Sequence, residues 1–153
     1  MGRIQIEASA VIDAPPEAAY AIVADYRTGH PAIVPKENFR DLAVEEGGYG
    51  AGTVIRARVR VGADERTVRH RVTEPEPGRV LIETDLDADS ATTFTFTPLD
   101  DDRRVRVRIA TEMAASPGIR GVVERLFAPP MLRRIYRKEL RQLAAVAQTA
   151  RVV

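Results

Sequence analysis

Between Ser116 and about Gln148 apolar residues return every three or four positions, and no other stretch of the chain sustains this for so long. Ile119, Val122, Val123, Leu126 and Phe127 open the series; Met131, Leu132, Ile135, Tyr136, Leu140, Leu143, Ala144 and Ala147 continue it. This is the period of one face of an α-helix, and Arg120, Arg125, Arg133, Arg137, Lys138 and Arg141 fall mostly on the other sides. Ser116-Pro117 reads as an N-cap with proline at the first helical position. Pro129-Pro130 interrupts the run. An internal proline deletes a backbone hydrogen bond and clashes with the preceding turn, so a kink or short break is predicted near Ala128, within one bent element. Function is expected between this helix and the surface that its apolar face covers.

The rest of the chain has a different period. In residues 3 to 13, Ile4, Ile6, Ala8, Ala10 and Ile12 alternate with polar side chains, as in a half-buried strand. Asp13-Ala14-Pro15-Pro16-Glu17 turns into a short helix carrying Ala18, Ala19, Tyr20, Ile22 and Val23 and ending around Asp25-Tyr26. Residues 27–35 hold at most a second short helix. From there the period is two, with strands predicted at 38–46, 53–61, 65–74, 79–86, 91–98 and 103–113. Their separators carry turn residues at hairpin length, so neighbours should pair antiparallel. Strand, two short helices, six strands and a long helix define an α+β chain of about seven strands, read as one domain over 1–153. Only the terminal helix is long enough to cover the sheet.

Twenty-three basic and 22 acidic residues nearly cancel, so charge argues for neither nucleic acid nor an anionic membrane as a partner of the chain as a whole. There is no cysteine, which removes disulfides, thiolate metal sites and cysteine nucleophiles. The two histidines are forty residues apart and form no recognisable metal-ligand set, so neither metal nor cofactor is expected. The N-terminus lacks the apolar core of a secretory signal, and no run approaches the roughly 20 apolar residues of a membrane span. The expected location is the cytoplasm, without integral membrane association, as monomer or homodimer. Gly47 to Gly52 is glycine-rich but precedes a strand, so it lacks helix N-terminal amides for phosphate and is read as a mobile loop at a pocket rim.

Here the sequence resembles the START/polyketide-cyclase-like superfamily, the helix-grip or SRPBCC fold. The resemblance rests on the opening from Ile6 to Glu17, the helix Ala18 to Tyr26, Gly50-Ala51-Gly52-Thr53 leading into a strand, and the ending Leu132 to Leu143. It implies a curved antiparallel sheet gripping the C-terminal helix, with an apolar cavity beneath that helix. It also implies two functional classes: carriers of lipid, polyketide or isoprenoid ligands, and cyclase/dehydrase enzymes that use cavity shape and a few polar groups.

Strand parity sorts the side chains. Ile55, Ala57, Val59 and Val61, and Val105, Val107, Ile109, Thr111 and Met113, point inward; Arg56, Arg58, Arg60, Arg104, Arg106 and Arg108 form a solvated convex face, shared with Glu65, Glu83, Asp85 and Glu112. Val68 and Val72 put His70 on the concave side, where its imidazole needs a hydrogen-bond partner such as Thr84, Thr92 or a ligand. Either a structural histidine or a ligand-orienting, acid/base one fits that position. Val80, Ile82, Thr84 and Leu86 are read as inward, with Phe94 and Phe96 from the next strand. His30 lies in the loop beside Tyr26 and is read chiefly as a surface residue. The inward set is small or β-branched, tryptophan is absent and aromatics are 5%, so the interior is hard to fill to normal density. A pocket for a small hydrophobic molecule is therefore expected, lined by Tyr26, His30, Ala57, Val59, Val68, His70, Ile82, Thr84, Phe94, Phe96, Val107, Leu126, Phe127, Met131 and Ile135. His70 is the candidate catalytic residue should the chain be an enzyme; a filled interaction module is the remaining alternative.

Overall fold

In the computed structural model, which describes residues 2–152 and the side chains of 2–149, strand β1 (Arg3–Ile12) leads into helices α1 (Pro16–Ala24) and α2 (Gly29–Ile33). Six strands follow: β2 (Phe39–Glu46), β3 (Val54–Val61), β4 (Asp64–Glu76), β5 (Val80–Asp85), β6 (Ser90–Leu99) and β7 (Arg104–Ala114); helix α3 (Ile119–Val152) ends the chain. The strands form one seven-stranded sheet in the order β1-β7-β6-β5-β4-β3-β2, and every neighbouring pair is antiparallel. Because β1 pairs with β7 while β2 lies at the opposite edge, α1 and α2 carry the chain from one edge of the sheet to the other. Both pack on α3. Met1 and Val153 lie outside the described residues.

Alternation explains most of the core. Ile4, Ile6, Ala8 and Ile12 of β1 are buried against Val105, Val107 and Ile109 of β7, while Arg104, Arg106 and Arg108 are exposed. Several of the outward arginines find carboxylates there: Arg108 pairs with Glu7, Arg104 with Asp100, Arg58 with Glu65, and Arg3 with Asp89 and Glu112. The β6–β7 turn is unusual in placing Asp100, Asp101 and Asp102 consecutively at positive φ, a conformation that short side chains able to bond the local backbone tolerate best.

Four expectations are corrected. Ser116 does not cap the long helix; α3 opens at Ile119 after Gly118 at φ 72°, and the backbone N–H and hydroxyl of Ser116 both donate to the Glu124 carboxylate at 2.8 Å. Of the kink or short break expected near Ala128 the break is absent, and the run is one element as expected: α3 continues through Pro129 and Pro130. Their missing N–H groups release carbonyls in a half of the helix that is open to water, where solvent can reach them. That half is the third correction. Ile135, Tyr136, Leu140, Leu143 and Ala147 are buried, but Ile119, Val122, Val123, Leu126 and Phe127 are exposed, so only the C-terminal half of α3 is gripped.

The fourth concerns β5. Its buried positions are Leu81, Glu83 and Asp85; Thr84 is exposed and Val80 and Ile82 are only partly covered, while Leu86 beyond the strand is exposed. The inward reading of Ile82, Thr84 and Leu86 is therefore inverted, and Glu83 and Asp85 leave the convex face to which parity assigned them. Three successive apolar residues, Val80-Leu81-Ile82, carry no parity of their own. The Gly47–Gly52 loop also departs from the rim. It is bound to the end of α1 through Tyr26 N–H to Gly48 O (2.9 Å) and Gly50 N–H to Ala24 O (3.0 Å), and no residue of it lines the cavity.

Candidate functional site

Between the concave sheet and α3 lies a cavity of about 540 Å³, within the range of small-molecule sites. Val34, Phe39, Leu42, Ile55, Ala57, Val59, Val68 and Phe94 form apolar walls, and Val123, Phe127, Met131 and Leu132 of α3 extend them toward the mouth. The chemistry is concentrated at the buried end. There His30, Glu83 and Glu139 are 3%, 8% and 4% exposed, and each lines the cavity.

Each of these side chains has a different anchor. His30 sits in α2; its ring stacks on Tyr26 with centroids 4.4 Å apart and meets Phe94 edge-on. Its Nδ1 lies 2.7 Å from the Val23 carbonyl. A carbonyl only accepts, so Nδ1 carries a proton and Nε2 is the atom presented to the site. Nε2 stands 3.4 Å from Glu83 Oε1 and 3.8 Å from Glu139 Oε1. Glu83 is set by β5 and accepts from the Tyr26 hydroxyl at 2.6 Å. Its other oxygen faces His70 Nδ1 at 3.7 Å, and His70 Nε2 faces Asp85 Oδ2 at 3.9 Å. The expected partners of His70, Thr84 and Thr92, are thus replaced by two carboxylates.

The carboxyl groups divide by environment. Burial alone would raise Glu83, but the positive charge that His30 and His70 can carry and the hydrogen bond from the Tyr26 hydroxyl outweigh it and hold this group at about 2. Glu139 is pushed well above the ordinary range by burial, then by the charge of Glu83. Among the described residues its carboxyl forms no hydrogen bond; Oε1 lies 3.8 Å from His30 Nε2. Two carboxyl groups beside the same imidazole are therefore displaced in opposite directions. Asp85 differs again. It accepts from Arg66 (2.8 Å) and from the backbone of Asp87 and Ala88 (2.9 and 3.1 Å), bonds that fix the turn after β5 and occupy both oxygens. On another wall Thr92 Oγ1 and Thr111 Oγ1 are 2.7 Å apart, and Thr111 bonds the Tyr136 hydroxyl. Burial raises Tyr136 to about 12, keeping it a phenol.

Of the residues expected to line the pocket, His30, Ala57, Val59, Val68, His70, Phe94, Phe127 and Met131 do so. Tyr26 stands behind the wall, bonded to Glu83. Phe96 packs edge-on against Tyr20, and Val107 and Ile135 are buried elsewhere in the core. Ile82 and Thr84 lie on the convex side, and Leu126 faces solvent. His30 is corrected from surface to interior: the α2 turn brings it beneath Tyr26. Glu83 and Glu139 were missed. Glu139 could have been found, because it falls between Tyr136 and Leu143 on the apolar stripe of α3, where an ionisable residue is out of pattern.

A curved sheet gripping half of a terminal helix, with a cavity between them, defines a helix-grip protein. The chain belongs to the family described as polyketide cyclase/dehydrase and lipid transport, whose model matches residues 3–148. No curated protein matches the sequence. Among solved structures, the KanY protein is 29% identical with a TM-score of 0.83, over 97% of this chain and 99% of that one. The TTHA0849 protein of Thermus thermophilus is 21% identical with a TM-score of 0.75, over 95% and 98%. The Zhui aromatase/cyclase of Streptomyces sp. R1128 is 18% identical with a TM-score of 0.73, over 96% and 94%. The last two likenesses concern the fold.

Proposed function

We propose that the chain is a cyclase/dehydratase-type enzyme acting on a small, largely apolar molecule that bears carbonyl groups. The observation that carries this reading is the pair of buried carboxyl groups, Glu83 and Glu139, set 3.4 and 3.8 Å from His30 Nε2 at the cavity's buried end, with pKa values displaced in opposite directions. Burying a carboxyl without a hydrogen bond is costly, and a plain apolar container gains nothing from it. Two titratable groups driven apart by their surroundings are what acid and base roles require.

In this reading His70, part-exposed to the cavity, removes a proton from a carbon next to a carbonyl, and the Glu83 carboxylate stabilises the imidazolium that forms. The resulting enolate attacks a second carbonyl carbon of the same molecule, forming a ring bond. Glu139 supplies the proton for the oxygen of that carbonyl, with His30 Nε2 beside it. In the dehydration the Glu139 carboxylate takes the second proton from the carbon between the two carbonyl positions and the His70 imidazolium protonates the departing hydroxyl, so water leaves and both groups return to their starting states. The apolar walls fold the chain and exclude water. Support from relatives comes from the family description and from the fold shared with an aromatase/cyclase. The second reading, a carrier of a lipid, polyketide or isoprenoid, is favoured by the predominance of aliphatic wall residues.

A short poly-β-ketone presented as its N-acetylcysteamine thioester tests the two. The expected outcome is faster formation of the cyclised, dehydrated product than in buffer. Glu139→Gln and His70→Ala should each lower kcat by on the order of 10²-fold or more while the probe still quenches intrinsic tyrosine fluorescence. Binding without any acceleration in the wild type would favour the carrier, and neither binding nor turnover would remove both readings for this class of molecule.

A further inference from the structure

The solvent side of α3 pairs an uncovered apolar stripe with an almost unopposed set of cations. Ile119, Leu126 and Phe127 are 83%, 65% and 60% exposed, with Val122 beside them. The same helix carries Arg120, Arg125, Arg133, Arg134, Arg137, Lys138 and Arg141 against two acids. Glu124 is committed to Ser116 and lies 3.6 Å from Arg120, and Glu139 is buried in the cavity. Lys138 is neutralised by Glu37. Arg133, Arg134, Arg137 and Arg141 have no ion pair among the described residues; Arg56 and Arg106 of the convex sheet have none either, but on α3 the unpaired cations share an element with the exposed apolar stripe. Across the mouth Asp64 and Glu65 face the helix, and Glu65 is paired with Arg58.

We infer that this face of α3 lies on an anionic lipid surface, with Ile119, Val122, Leu126 and Phe127 in the headgroup–acyl boundary and the arginines on lipid phosphates. A long helix with an exposed apolar stripe beside a basic one has the form of an interfacial element, and each basic residue near an anionic leaflet adds attraction. No helix among the described residues is long and apolar enough to cross a membrane, so the helix lies on the surface rather than spanning it. The net charge of the chain is only +1, so the attraction is local to this helix. Phe127 and Val123 are both exposed and part of the cavity wall, which puts the mouth at the lipid surface. The inference does not depend on catalysis in the cavity.

Flotation with phosphatidylcholine vesicles containing one-quarter phosphatidylglycerol tests it. Binding is expected at low salt, weakened at least tenfold by 0.5 M NaCl and by omission of phosphatidylglycerol. Ile119→Ser with Leu126→Ser, and Arg134→Glu with Arg137→Glu, should each weaken it at least tenfold, with circular dichroism unchanged. Arg56→Glu with Arg106→Glu on the convex sheet should leave it within twofold. No binding to anionic vesicles, or an equal loss with the convex-face pair, overturns the proposal. So does a stable dimer by sedimentation that Ile119→Ser with Leu126→Ser converts to monomer, since the stripe would then be covered by a second copy.

Discussion

At its buried end the cavity is built, Glu139 apart, from side chains held by one another: Tyr26 by Glu83, His30 by Val23 and Phe94, Glu83 by Tyr26 and the two imidazoles. At its mouth Val123, Phe127 and Met131 stand partly in water, and Met131 reaches toward the turn at Gly62. The contrast separates two jobs. A buried charge cluster is tolerated only when every member is positioned, so it confers definition at the expense of tolerance to change. A solvent-facing apolar stripe contributes little to folding and is open to a ligand or a surface. Substitutions at the two ends should therefore be told apart by whether stability moves.

The largest loss is expected for Glu83→Leu, which strands the Tyr26 hydroxyl and the cluster's histidines. Unfolding free energy should fall by about 3–5 kcal/mol; a urea titration showing less than about 1 kcal/mol would mean that the cluster is not interdependent. Phe94→Ala should cost a similar 3–5 kcal/mol, because it opens a void under His30.

Glu139→Gln should act in the opposite sense at neutral pH. Its raised pKa means that the folded state holds the proton more tightly than the unfolded chain does. That contribution is complete below the ordinary carboxyl range and is lost as pH rises toward the folded value. Removing the titration should stabilise the protein at pH 7, by about 1.4 kcal/mol for each unit of upward displacement, and flatten the decline above pH 5. Glu83 has the reverse sign: its contribution is present above the ordinary 4.5 and disappears as pH falls toward about 2. Wild-type stability should thus fall on both sides of the weakly acid range, and the Glu139→Gln profile on the acid side alone. Thermal melts from pH 3 to 8 read both slopes.

At the mouth, Leu126→Ser should change stability by less than about 0.5 kcal/mol, as should Thr84→Val on the convex side, which should also leave ligand binding intact. A larger effect of Leu126→Ser would mean that the stripe is covered in the free protein.

How far the sequence could be read followed the same division. β1, β3 and β7 alternate cleanly between apolar and charged residues, and there parity placed every arginine and most of the wall. It failed where function bends the pattern. In β5 the run Val80-Leu81-Ile82 offers no parity, and the carboxylates that decide it point inward, against the rule that charge faces water. The α3 stripe looked continuous through Leu126 and Phe127, yet periodicity records that a face is apolar and not what covers it. His30 could not be placed because a five-residue helix with Pro31 inside it gives no period; its burial depends on Tyr26 stacking above it.

The account rests most heavily on the two carboxyl groups beside His30 being in different states. Carbon-13 NMR of the glutamate side-chain carboxyl carbons, assigned with Glu83→Gln and Glu139→Gln, reads this directly across pH 2 to 8. Glu83 should remain a carboxylate down to pH 3, and Glu139 should titrate well above the ordinary carboxyl range. Both signals titrating together near 4.5 would show an ordinary pair of carboxylates and leave the cavity without its acid.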